Sequence, residues 1–198
     1  MSERCCNLWK SFRTGDKLAF GQLMRENFRH LFNYGSKFSH DDELVKDVIQ
    51  DLFLKLWEKR LNLSDDVNPK AYLTASLRRA LHRKIQSQSK FSSYAELNEL
   101  DCSFDLVLSV EQDLIDKEST LALASRIAAN LSELPARQRE VVYLKFFQDF
   151  SRDEISKTMQ ITPQTVSNLL QLALKKLRIE LKSRLVVCLG IISPEQQN

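Results

Sequence analysis

Within SRDEISKTMQITPQTVSNLL, Ser151 to Leu170, a threonine and a proline stand together between two stretches of helical periodicity. The Thr162 hydroxyl can accept an N–H from the first turn of a helix. Pro163 suits the first helical position, where an N–H would have no intrahelical partner. A helix therefore starts here and runs on through QTVSNLLQLALKKLR. Ile155, Met159, Ile161, Val166 and Leu169 are apolar where two crossing helices must bury side chains, and Ser156 is small where they approach most closely. This is the pattern of a helix-turn-helix. Gln160 occupies the turn, where glycine is usual because φ is often positive.

The rest of the chain reads as helix too. Four Gly and four Pro in 198 residues are too few for an all-β protein, while Leu, Lys, Glu, Gln and Ala are plentiful. From Asp16 to about Gln88 the pattern is helical, with Leu18, Leu23, Phe28, Leu31 and Phe32 as one apolar series. Asp41 or Asp42 caps the next helix, whose stripe is Leu44, Val45, Val48, Ile49, Leu52 and Leu56. The loop Leu61 to Pro69 breaks it, and Pro69 opens KAYLTASLRRALHRKIQSQ. Leu114, Leu121, Leu123, Ile127 and Leu131 give a later block its apolar face, and a helix follows Pro135 over Arg137 to about Phe147. The expected fold is all-α: two helical domains joined by a flexible acidic linker, the second a helix-turn-helix.

Charge supports that division. Lys70 to Lys90 holds six Lys or Arg and no acid, whereas Ser92 to Thr120 holds eight acids and the single base Lys117. One segment suits a polyanion and the other a place apart from it; a solvated helix face beside an acidic loop gives the same pattern. Cys5, Cys6, Cys102 and Cys188 lack metal-ligand spacing, so neither a metal site nor a cofactor is expected, and the compartment is a reducing one. MSERCCNLWKSF has no signal-peptide apolar run, and no segment reaches membrane-span length. The expectation is a cytoplasmic protein without membrane insertion. No nucleophile–base pair or phosphate-cradling glycine loop suggests an enzyme or a small-molecule substrate.

Gln164, Thr165, Ser167, Asn168 and Gln171 are the candidates for a groove-facing surface, with Thr162 at the helix start. Lys175 comes later and suits DNA backbone, as do Arg137 and Arg139 before the preceding helix. With no positive charge between Pro163 and Gln171, this helix alone binds DNA weakly, because Lys and Arg supply most of the affinity. It needs a larger assembly.

Three stretches, DDELVKDVIQDLFLKLWEKR, PKAYLTASLRRALHRK and LPARQREVVYLKFFQDFSRDEISKTMQITPQTVSNLLQLALKKLR, resemble the extracytoplasmic-function (ECF) subfamily of bacterial sigma-70 factors. These are the RNA polymerase subunits that select promoters. The likeness runs from about Asp16 to Leu185 and is of the Bacteroidetes style. It implies region two over residues 1–88, a linker over 89–108, region four over 109–185 and a tail over 186–198. It implies docking of Gln50, Asp51, Phe53 and Trp57 on the β′ clamp helices of core RNA polymerase; a core role for Phe53 and Trp57 is the other reading. The loop Asn62 to Asn68 matches the one that captures a flipped minus-ten base. Tyr72, Arg78, Arg79, Arg83 and Lys84 match the helix that meets the melted strand, with a core role the other reading for Tyr72; the family often has Asn at the position of Arg79 and Asp at that of Arg83, so phosphate contacts are favoured here. Region four would read the minus-thirty-five element of promoter DNA, and an anti-sigma factor is a further expected partner. Relatives often carry Lys or Arg where this chain has Ser167, Leu169, Leu172 and Leu174. Those changes fit altered promoter preference or a protein partner such as the β flap. Two other readings stay open: a stand-alone dimeric helix-turn-helix regulator, and a sigma-like interaction module without promoter reading.

Overall fold

The structure, a computed structural model, describes residues 3–65, 67–89, 104–105 and 129–188. Among these every regular element is helical, as the composition required. The helices are α1 (Glu3–Arg13), α2 (Lys17–Gly35), α3 (Asp42–Glu58), α4 (Pro69–Ser89), α5 (Ala136–Phe146), α6 (Arg152–Met159) and α7 (Pro163–Cys188), with a 3₁₀ turn over Arg60–Asn62 after α3. The expected apolar positions Leu114, Leu121, Leu123 and Ile127, most of the tail and most of the linker lie outside the described residues.

Local chemistry sets the helix starts. Asp16 accepts N–H bonds from Leu18 and Ala19, and Asp41 accepts one from Leu44. Asn68 then Pro69, and Thr162 then Pro163, use one device twice: the polar side chain takes first-turn N–H groups and proline fills the next position. The Asn68 Oδ1 accepts from the backbone of Lys70 at 3.1 Å, and the Thr162 hydroxyl accepts from that of Thr165 at 3.1 Å. Ser151 and Glu154 cap α6 reciprocally, each side chain bonding the other's backbone N–H.

Residues 3–89 form one helical body. The stripe Leu44, Val45, Val48, Ile49, Leu52 and Leu56 is buried throughout. In α2, Leu23 and Leu31 are buried, but Leu18 is 84% exposed and Phe28 40%, so the expected apolar series splits between core and surface. Leu18 follows the capping Asp16 in the first turn and points outward; its near-helical spacing from Leu23 did not place it on the same face. Gly35 lets α2 and α3 approach closely, since a Cβ there would lie 2.6 Å from the Val45 side chain. Helix α1 adds Trp9 and Phe12, both buried, to an aromatic group with Phe20, Phe53, Trp57 and Tyr72.

Residues 129–188 form a second helical body, with the helix-turn-helix of α6 and α7 resting on α5. Ile155, Met159 and Val166 are buried between them, while Ile161 and Leu169 pack at the margin. Gln160 takes the left-handed conformation (φ 55°, ψ 46°), as the turn required of whatever residue stood there. A Cβ costs about 1 kcal/mol in that region. Gln160→Gly is therefore expected to raise the melting temperature by about 2–4 °C, and Gln160→Val to lower it. Calorimetry that found Gly no better than Gln would contradict this account of the turn.

The two bodies touch. Helix α6 packs on α4, and the buried residues of both halves form one apolar cluster. Tyr34 and Phe38 of the first body, Tyr143 of the second and Phe104 between them make ring contacts of 5.1–6.1 Å. Phe104, expected within the linker, is 1% exposed, and Asp105 bonds the Lys37 carbonyl and the Arg139 guanidinium.

Candidate nucleic-acid interface

Helix α4 has two working faces, separated by the 100° turn per residue of an α-helix. Tyr72, Ser76, Arg79, Ala80, Arg83, Lys84 and Ser87 fall on one side and line a cavity of about 430 Å³ against α3. From α3 and its C-cap it receives Asp51, Lys55 and Lys59 with the apolar floor of Val48, Leu52 and Leu56. Five cations thus face one carboxylate around an apolar base with a tyrosine in its wall. Such a groove suits a chain of phosphates carrying stackable rings. Arg79 donates to the Ser76 hydroxyl at 3.0 Å, which holds its guanidinium along the wall, while Arg83 and Lys84 are exposed.

The geometry gathers Tyr72, Arg79, Arg83 and Lys84 as the sequence expectation had them, but not Arg78. That residue points to the opposite side, is 8% exposed and pairs with Glu140 of α5. Its neighbour in sequence is not its neighbour in space. Lys55 and Lys59 were missed, although their i, i+4 spacing after Asp51 runs along one side of α3.

The loop ahead of α4 is tied at several points. The Trp9 indole N–H donates to the Ser64 carbonyl at 2.9 Å, Arg13 pairs with Asp65, and the Asn68 amide donates to Glu154 of α6 at 2.6 Å. On α3, Gln50 and Asp51 are exposed, Phe53 is 2% exposed and Trp57 is half-buried. Trp57 lies between Phe20, with ring centroids 5.0 Å apart, and the Arg60 guanidinium at 4.5 Å. Phe53 supports that stack through Phe20 and has no surface of its own to offer. Leu54 and Leu61, 64% and 72% exposed, supply the apolar area on this side.

On the helix-turn-helix, Gln164, Asn168, Gln171 and Lys175 are exposed, and Thr165 and Ser167 are half-buried. Gln164 donates to Asn168 across one turn at 3.0 Å, so the amides form a linked row. Thr162 is occupied as the cap and by the Thr165 hydroxyl. Arg137 and Arg139 are half-buried, and Arg139 is paired with Asp105. Further along α7, Leu172, Leu174 and Ile179 are each about half exposed. No helix among the described residues is long and apolar enough to cross a membrane.

A helix-turn-helix body beside a second helical body with a basic, tyrosine-walled groove defines a helical protein equipped for nucleic acid. Comparison with known proteins gives it a family. Residues 23–91 match Sigma-70 region 2 and residues 125–177 match Sigma-70, region 4. The two matches together span more than half the chain, which belongs to the sigma-70 family. It is 25% identical over 174 residues to the ECF RNA polymerase sigma factor SigL of Mycobacterium tuberculosis (strain ATCC 25618 / H37Rv), covering 85% of this chain and 94% of that one. Its fold is similar to that of CnrH, solved in complex with the cytosolic domain of CnrY: TM-score 0.60, 21% identity, covering 91% of this chain and 99% of that one. It is similar also to the sigma factor RpoE solved in complex with the anti-sigma factor NepR from Bartonella quintana: TM-score 0.55, 21% identity, covering 82% and 96%.

Proposed function

We propose that the protein is a non-enzymatic, cytoplasmic sigma factor of the ECF type that binds core RNA polymerase and directs initiation at its promoters. The observation that carries this reading is the α3–α4 groove. Tyr72, Arg79, Arg83 and Lys84, together with Lys55 and Lys59, ring a cavity suited to an opened DNA strand, on a chain that also presents a helix-turn-helix. The exposed Gln50, Asp51 and Leu54, with half-buried Trp57, form the face offered to the β′ clamp helices, and Phe53 acts from beneath. Gln164, Asn168 and Gln171 face the upstream duplex, with Lys175 and Arg137 toward its phosphates. The structural relative RpoE is solved with the anti-sigma factor NepR, and we assign such a partner to this chain as well.

The test is reconstitution with core polymerase and transcription from genomic fragments, with discrete start sites as the expected result. A second reading draws on Leu172, Leu174 and Ile179, which leave α7 apolar beyond its second turn. An interaction module would bind polymerase or an anti-sigma factor and yield no specific transcripts, so the same experiment separates the two.

A further inference from the structure

Helix α1 supports the tyrosine end of the groove from beneath. Trp9, 1% exposed, meets the Tyr72 ring edge-on, with centroids 5.6 Å apart and planes at 62°. A buried indole N–H needs an acceptor, and this one donates to the Ser64 carbonyl at 2.9 Å. Ser64 belongs to the loop between the 3₁₀ turn and α4. One helical turn beyond Trp9, Arg13 pairs with Asp65 of the same loop. The end of that loop is bonded to Tyr72 as well, since the Asn68 carbonyl accepts the Tyr72 N–H at 2.9 Å. A single buried indole therefore holds both the half-buried tyrosine of the groove wall and the exposed loop backbone beside it. It does so from a helix none of whose described residues lines the groove.

Stacking asks more of a side chain than phosphate attraction does. A cation draws phosphate from a range of distances and directions, whereas an aromatic ring stacks on a base only when its plane is set. Lys55, Lys59, Arg79, Arg83 and Lys84 supply the first property, and Tyr72 is the ring of the groove wall. We propose that Trp9 is a positioning residue for strand binding: through Tyr72 and the Ser64 carbonyl it sets the base-contacting end of the groove, while Arg13 holds the loop from its outer side. The assignment rests on the reading of the groove as the seat of an opened strand. It adds what gives that seat a preference for bases over bare phosphate. Helix α1 does not depend on Trp9 for its own place, because Phe12, fully buried, stacks on Phe20 of α2 with centroids 5.4 Å apart.

The experiment uses the full chain bound to core polymerase and two short labelled strands of equal length, one of deoxyadenosine nucleotides and one abasic. Their phosphates are equal in number, so the ratio of the two affinities reads the rings and the salt slope reads the charges. The wild-type ratio is expected to be about tenfold or more, the worth of one well-stacked base. Tyr72→Leu should bring it near one. Trp9→Phe keeps a buried ring but loses the indole N–H and the reach to Tyr72. It is expected to lower the ratio by about threefold or more, with the salt slope unchanged and helicity, read by circular dichroism on the free chain, preserved. Arg13→Gln loosens the loop without opening the core. It should lower the ratio by less, about twofold, and decides alone, in either direction, if Trp9→Phe loses helicity.

A tryptophan with only a structural role would weaken both strands alike or lower the melting temperature and leave the ratio where it was. Either result in folded Trp9→Phe overturns the proposal, as does a wild-type ratio near one or a ratio that survives Tyr72→Leu. If the ratio survives Trp9→Phe while Arg79→Glu with Arg83→Glu weakens both strands, the groove reading stands and the assignment of Trp9 alone falls. If that charge reversal also changes nothing, the groove reading falls with it.

Discussion

Arg79→Glu combined with Arg83→Glu is expected to weaken binding of a single-stranded minus-ten oligonucleotide by the polymerase-bound factor by about a hundredfold near 0.15 M salt. Both side chains line the α3–α4 groove together with Lys55, Lys59 and Lys84. For single strands the logarithm of affinity falls with that of salt by about 0.7 per neutralised phosphate, so five contacts give a slope near −3.5. Reversing two leaves at most three attractive contacts, a slope near −2, and adds repulsion. Helix content should not change, because Arg83 is exposed and Arg79 bonds the nearby Ser76 of the same helix. A salt slope and affinity equal to those of the wild type would show that the groove is not where the strand lies.

Acidification from pH 6.5 to 4 is expected to lower the stability of the folded chain by up to about 3 kcal/mol through His30 alone. Burial pushes this imidazole down from its ordinary 6.5 to about 4, helped by the Lys70 ammonium and opposed by a hydrogen bond with Gln148. The Thr74 hydroxyl donates to the Lys70 carbonyl, so the His30 Nε2, 2.9 Å away, is the donor to Thr74, and burial keeps the ring neutral near pH 7. The unfolded chain takes up its proton near pH 6.5 and the folded chain near pH 4. Stability from this group is therefore complete above pH 6.5, lost progressively between the two values and level below pH 4. Glu26, Lys145, Asp149 and Glu154 line the same cavity, about 730 Å³ in volume. Burial raises the Glu154 carboxyl, but hydrogen bonds from Ser151 and Asn68 outweigh it and hold it below its ordinary 4.5. Its share of stability is lost at lower pH than most of the His30 window. Denaturant titrations at several pH values should show the slope in the wild type and a flatter line in His30→Asn. Equal slopes in both would remove His30 from the account.

The parts of this fold legible in the sequence are those decided within one helical turn. Thr162 and Pro163 announce α7, Asp41 announces α3, and the α3 stripe is buried as its spacing says. The positive φ of Gln160 follows from the turn rather than from the residue. What escaped reading depends on partners far away in the chain. Glu140 stands near Arg137 and Arg139 and reads as a surface acid, yet Arg78, 62 residues away, and Tyr34, 106 away, make it a buried one. Phe104, within a run of acids, is drawn in by Tyr34, Phe38 and Tyr143. Helix α1 went unread before Asp16, although Trp9 and Phe12 sit three residues apart and both enter the core. Phe53 and Trp57 share one stripe by spacing, but the covering Phe20 decides which of them reaches the surface.

Arg78 and Arg79 are adjacent yet look in different directions, one toward α5 and the other into the groove. Mutational drift can therefore adjust how firmly the two bodies are joined and how strongly the groove attracts phosphate as two separate dials, one codon apart. Softening the first residue loosens the joint and leaves the groove's cations in place, while softening the second does the reverse.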